Sequence, residues 1–172
     1  LFADSLKKNW EKPAFTDYFD KKTFTYQQVA EQVAQLHLLF ERLNVQKNDK
    51  IALVGKNGSL WCITYIATVS YGAVIVPMLQ DFPPENLTNI INHSDSKILF
   101  TSDYIWNKLN IENLNNIESV ISLENFSCIY SRKEQDATSI ADAQKLFVEK
   151  YPNGYTKEDI QYAEVPNSNV VC

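Results

Sequence analysis

Apolar positions along this chain alternate between a helical spacing and short continuous runs. Phe2, Leu6 and Trp10 recur every four residues and predict a first helix over Phe2 to Trp10. Ala14 to Tyr18 and Thr23 to Thr25 predict short strands around the turn-like Asp20-Lys21-Lys22. Val29, Val33, Leu36, Phe40 and Leu43 then line one face of a long helix, with Gln28, Gln32, Gln35 and Arg42 outward. Thr25 and Gln28 stand at capping-box spacing, Phe24 and Val29 occupy the staple positions, and Asn44 predicts the helix end.

From Lys50 onward the runs shorten. Lys50 to Gly55 predicts a strand, followed by the turn Lys56 to Ser59. Ser59 is expected to cap a helix from Leu60 to Tyr71, apolar nearly all round and so buried on most sides, which Gly72 ends. Ala73 to Val76 predicts the next strand. Pro77 is expected to mark where its pairing stops, because proline has no backbone donor. Pro84 opens a helix at its first turn, with Leu87, Ile90 and Ile91 inward. Lys97 to Asp103 and Ser119 to Leu123 predict further core strands, and Ser131 to Thr138 a surface loop. Ala137 to Tyr151 predicts one helix carrying Ile140, Ala143, Leu146, Phe147 and Tyr151, and Asn169 to Cys172 the start of another strand. Strand–helix alternation with fully apolar strands predicts an α/β fold, with a mostly parallel, doubly wound sheet and helices on both faces.

Composition adds boundaries. The chain has 172 residues, 45% hydrophobic and 22% charged, as in ordinary soluble globular proteins. A net charge of −5 argues against a nucleic-acid partner, which needs clustered basic residues; Lys7-Lys8 and Lys21-Lys22 are only short pairs. The longest charge-free apolar stretch, Gly58 to Leu79, is interrupted by Gly72 and Pro77, so no transmembrane segment is expected and the expected location is cytoplasmic. Cys62, Cys128 and Cys172 are odd in number and far apart, the pattern of reduced thiols rather than a disulfide framework. The chain starts at Leu1 and ends inside the apolar run Val170-Val171-Cys172, and reads as a fragment cut at a strand.

Candidate chemistry is sparse. Gly55, Lys56 and Gly58 precede a helix start where free amides could hold a phosphate. The stretch matches neither glycine-rich phosphate motif, in a chain with only four glycines, so a plain strand-to-helix turn is the expectation. His37 is expected on the surface of its helix or partly packed, and His93 at a helix C-terminus as a capping cation. Two histidines without a Cys-x-x-Cys argue against zinc. Asp95, Asp103 and Glu112 show no paired acid–base spacing, and Ser59 and Ser70 lack a nucleophile-elbow context.

The ordered series from Thr25-Tyr26, through Asp49-Lys50-Ile51-Ala52 and Asn57, to Tyr71-Gly72-Ala73-Val74-Ile75-Val76-Pro77 and Ser94-Asp95-Ser96-Lys97 to Asp103 resembles the N-terminal region of the adenylate-forming (AMP-binding) ligases. These include acyl-CoA synthetases, luciferases and peptide-synthetase adenylation domains. Tyr151-Pro152-Asn153-Gly154 and the run into Asn169-Val170-Val171-Cys172 look like the bacterial long-chain fatty acyl-CoA synthetase branch. The resemblance implies a parent enzyme that converts fatty acid, ATP and coenzyme A into acyl-CoA, AMP and pyrophosphate through an acyl-adenylate, with Mg2+. Residues 1–172 would be one incomplete unit of the large AMP-binding domain, with the phosphate loop, the rest of that domain and the C-terminal lid outside it. No catalytic, cofactor-binding or metal residue is carried over; Tyr26, Gly72 and Pro77 are matched as structural positions. The segment alone is expected to be inactive and to hold no cofactor tightly. Peripheral membrane contact and oligomeric state stay open. The alternatives are another adenylate-forming ligase, acting on aryl or amino acids, and a stand-alone α/β binding or interaction module.

Overall fold

The computed structural model describes residues 2–18 and 21–163. In chain order its elements are α1 (Phe2–Lys8), β1 (Pro13–Thr16), β2 (Thr23–Thr25), α2 (Tyr26–Arg42), β3 (Lys50–Val54), α3 (Ser59–Tyr71), β4 (Val74–Met78), α4 (Pro84–His93), β5 (Ile98–Thr101), α5 (Asp103–Trp106), β6 (Ser119–Ser122), β7 (Cys128–Ser131), α6 (Glu134–Ala141) and α7 (Ala143–Lys150). Short 3-10 turns cover Ile111–Asn113 and Lys157–Asp159. The predicted strand at Asn169 to Cys172 lies outside the described residues, as do Leu1 and Asp20.

Strands β3 to β7 form one sheet of order β4-β3-β5-β6-β7, and β1 and β2 make a separate antiparallel pair. All pairings within the large sheet are parallel except β6 with β7. Strand periodicity divides the core in two. Ile51, Leu53, Ile98, Phe100 and Ile121 face one side, against Val33 and Phe40 of α2 and Ile63 and Ala67 of α3. Ala52, Val54, Leu99 and Val120 face the other, against Leu87 and Ile91 of α4 and Ile105 of α5. Helices therefore cover both faces, as expected of a doubly wound sheet.

Helix α2 starts as its sequence signals demand. The Gln28 amide donates to the Thr25 hydroxyl oxygen at 3.2 Å, and the Thr25 amide donates to Gln28 Oε1 at 2.9 Å. Phe24 and Val29 are both buried. Asn44 follows the last turn with φ 56°, the left-handed conformation that ends helices.

Several expectations need correction. Helix α1 stops at Lys8, although Trp10 beyond it is buried. Strand β4 does not stop before Pro77; it runs through Pro77 to Met78, with Leu53 opposite Pro77 and Val54 opposite Met78. The reason is position. Among the described residues β4 is the edge strand, and the Val74 amide already donates across to the Asp49 carbonyl at 2.8 Å. Alternation then makes Val76 and Met78 the inward donors, and the Pro77 nitrogen falls on the outer edge where no donor is needed. The supposed loop Ser131 to Thr138 is instead the end of β7 and the start of α6, and the single long helix breaks at Asp142 into α6 and α7. Helix α3 has no fully exposed residue, yet its buried stripe is Ile63, Thr64, Ala67 and Thr68, while Leu60, Trp61, Tyr65, Ile66 and Val69 are only half-buried. Among the described residues no helix is long and apolar enough to cross a membrane.

Candidate functional site

Open α/β sheets present ligand sites beyond the carboxyl ends of their strands, where the winding reverses. Here β3 leads through α3 on one face outward to β4, and β4 returns through α4 on the other face to β5. The reversal lies between the carboxyl ends of β3 and β5, at Gly55 to Ser59, Thr101 and Ser102, with Leu123 following β6.

The two features most like a phosphate cradle are both filled from within the fold. A Cβ on Gly55 would sit 2.6 Å from Leu123 Cδ1, so the bare glycine lets Leu123 close over the strand end. At the start of α3 the Ser59 amide donates to Asp17 Oδ1 at 2.8 Å. Gly58, not Ser59, is the N-cap residue, and it offers no side chain. The expected Ser59 cap is thus replaced by a carboxylate from a segment forty-two positions earlier in the sequence. Thr101 is fully buried at the end of β5, and its hydroxyl has no hydrogen-bond partner among the described residues.

His37 is partly packed, as expected. Its Nε2 lies 3.0 Å from the Ala67 carbonyl oxygen and 3.0 Å from Ser70 Oγ, with the rings of Tyr71 and Tyr162 edge-on at 5.4 and 5.6 Å. Burial drives its pKa down to about 4; the bond to Ala67 opposes this shift and the Lys150 charge adds to it. The imidazole is a neutral tie between α2 and α3. Beside it runs a groove of about 320 Å³ lined in part by Glu41, Lys150, Tyr151, Tyr155 and Glu158. Burial, then the neighbouring Tyr162, Tyr151 and Asp159, raise the Tyr155 phenol well above its ordinary range.

The remaining candidates are dispersed. His93 is exposed as the last residue of α4, Asp95 accepts from Asn116 Nδ2 at 2.9 Å, Asp103 opens α5, and Glu112 lies in a 3-10 turn. Ser70 Oγ donates to the Ile66 carbonyl at 2.6 Å. Cys62 and Cys128 are half-buried free thiols whose pKa values desolvation raises, so neither is a poised thiolate. Cys172 lies outside the described residues. Among the described residues no three His, Cys, Asp or Glu side chains converge as a metal site. At the amino ends of the strands, Lys97 Nζ bonds Asp49 Oδ2 at 2.8 Å. Burial alone would raise the Asp49 pKa, but the Lys97 bond and the Gln46 amide outweigh it and hold the carboxyl below its usual value.

Tyr26, Gly72 and Pro77 all hold backbone positions. The Tyr26 amide donates to the Lys12 carbonyl at 3.0 Å, joining α2 to the hairpin side. Gly72 ends α3 at φ 94°. Sequence reasoning missed Asp17 as a cap because nothing local signals a contact that distant. It missed the ties from His37 to Ala67 and Ser70 for the same reason, since both partners lie at least thirty positions later.

The family described as AMP-binding enzyme matches residues 2–167. The Bacillus subtilis protein named putative acyl--CoA ligase YdaB is 32% identical over 78 residues, covering 45% of this chain and 16% of that protein. Bacitracin synthase 1 of Bacillus licheniformis is 26% identical over 112 residues, covering 65% of this chain and 2% of that protein. Among solved structures, the anthranilate CoA ligase AuaEII in complex with anthranoyl-AMP superposes with a TM-score of 0.65 at 18% identity, over 73% of this chain and 25% of that one. That last likeness is one of fold. The chain spans well under a third of the length of each of these proteins.

Proposed function

This chain belongs to the AMP-binding enzyme family, and from that premise we propose that it is the N-terminal part of a fatty acid–CoA ligase. The whole protein would convert fatty acid, ATP and coenzyme A into acyl-CoA, AMP and pyrophosphate through an acyl-adenylate. The observation that carries the reading is a family match running along nearly the entire sequence, from residue 2 to residue 167. The acyl-CoA ligase relative supports thioester formation, and the Tyr151-Pro152-Asn153-Gly154 stretch supports a long-chain acid.

The described residues do not fit a nucleotide or its magnesium. Leu123 fills the space at Gly55, and Asp17 caps the start of α3 beside the sheet reversal. A carboxylate at that helix start also repels phosphate charge. No step of adenylation is therefore assigned to a residue of this chain. Its contribution is a scaffold: a twice-covered sheet whose strand ends are set by Gly55, Gly72 and the Asp17 cap. Residues 1–172 would act as one unit of a larger nucleotide-binding domain, in the cytoplasm, with ATP, CoA and Mg2+ handled by the longer protein.

The competing reading is activation of an aryl or amino acid, which the bacitracin synthase relative favours. Acid-dependent exchange of pyrophosphate into ATP, measured on the full-length protein with long-chain fatty, aryl and amino acids, separates the two. Fastest exchange with a long-chain fatty acid, followed by thioester formation with CoA, is the expected result; exchange confined to amino or aryl acids overturns it. Residues 1–172 alone are expected to give no exchange.

A further inference from the structure

Two Asn-Gly pairs stand on the surface of the protein, Asn57-Gly58 in the turn between β3 and α3 and Asn153-Gly154 after α7. In both, glycine leaves the backbone amide nitrogen open to the preceding side-chain amide, because no Cβ shields it. The two glycine nitrogens differ. The Gly154 amide donates to the Tyr151 carbonyl at 3.0 Å, in a turn where Gly154 has φ 89°. The Gly58 amide makes no hydrogen bond among the described residues, and Gly58 is extended at φ −170° and ψ 178°. It also stands at the N-cap of the thirteen-residue α3, but the Asp17 carboxylate bonded to the Ser59 amide sets that helix end against further negative charge, so the difference between the two sites rests on the unbonded nitrogen.

We propose that Asn57 is a spontaneous deamidation and isoaspartate site of the folded protein, and a substrate for isoaspartate methylation. The deprotonated Gly58 nitrogen attacks Asn57 Cγ. The bond from Cγ to Nδ2 breaks, ammonia leaves with the proton, and a cyclic imide remains. Water opens either imide carbonyl, giving aspartate or isoaspartate at position 57. The isoaspartate product adds one carbon to the backbone between β3 and α3, so it draws the Ser59 amide out of register with Asp17 Oδ1. Asn153 is slower in the folded protein because its nucleophile is held in a turn.

The test ages the intact protein at mildly alkaline pH, native and in denaturant, then maps both sites by mass spectrometry after an acid-pH digest. Isoaspartate is read separately as methyl groups accepted from S-adenosylmethionine through an isoaspartate methyltransferase. In the native protein Asn57 should convert several-fold faster than Asn153, and denaturant should bring the two rates together. Asn57→Gln should remove most methyl acceptance. Conversion of Asn153 at the same rate in the native protein, a rate ratio unmoved by denaturant, or undiminished methyl acceptance in Asn57→Gln would each overturn the assignment.

Discussion

His37 Nε2 stands 3.0 Å from Ser70 Oγ, so one imidazole fastens the later half of α2 to the last turn of α3. Because Ser70 spends its own proton on the Ile66 carbonyl at 2.6 Å, its oxygen accepts from His37, which fixes the tautomer with hydrogen on Nε2. The bond needs only a neutral ring, and burial keeps it neutral.

That arrangement makes stability depend on pH in a definite direction. The folded pKa of about 4 lies below the ordinary 6.5, so between those values the unfolded protein binds the extra proton. Stability is complete above about 6.5 and is lost as pH falls towards 4, by at most about 3 kcal/mol from this group. Urea midpoints at pH 7 and pH 5 should separate in the wild type. His37→Gln keeps a donor for Ala67 but does not titrate, and should narrow the gap; an unchanged gap would assign the effect to carboxylates.

Gly55→Ala drives a methyl into Leu123, whose side chain is half-buried and can turn aside. The expected loss is about 1 kcal/mol. Leu123→Ala in the same protein should recover part of it, and purely additive losses in the double mutant would show that the two sites do not touch.

Gly72→Ala makes only ordinary van der Waals contacts, with Ala163 and Lys47 atoms at 3.5 and 3.6 Å from the new Cβ, but it forces alanine to φ 94°. The cost is strain alone, about 1–2 kcal/mol. Gly72→Asn should lose less, because asparagine tolerates the left-handed region. Equal losses from thermal melts of the two variants would refute this account.

Asp17→Ala removes the side-chain acceptor for the Ser59 amide, at an expected cost of about 1 kcal/mol. Hydrogen exchange at Ser59 should quicken in Asp17→Ala and much less in Asp17→Asn, which retains an oxygen at that position. Unaltered exchange at Ser59 in both variants would mean that water serves the helix start as well as the carboxylate does.

What could be foreseen follows the range of the interactions. Local signals were legible: the Thr25–Gln28 box, the left-handed Asn44 and Gly72, Pro84 at a helix start, and strand runs such as Ile98 to Thr101. So was the doubly wound arrangement, because both-faced burial writes itself as unbroken apolar runs. Contacts between distant segments were not. Asp17 reaches Ser59 across the fold, and Leu123 seals Gly55 from a neighbouring part of the sheet. Strand β7 was hidden because all four of its residues are half-buried, which leaves no alternation to read. Pro77 misled because a proline's meaning in a strand depends on which neighbour lies beside it.

That outer edge has a consequence during synthesis and refolding. A bare sheet margin invites strands from other molecules, and long runs of such recruitment lead to aggregates. Along β4, the margin of the sheet among the described residues, an arriving strand would find the Ile75 amide, then no donor at all at Pro77, then a backbone leaving the sheet after Met78. Intermolecular ladders cannot propagate past that gap. Pro77 thus guards the fold against its own kind, and replacing it by valine should leave the native sheet intact while increasing light scattering when concentrated protein is refolded.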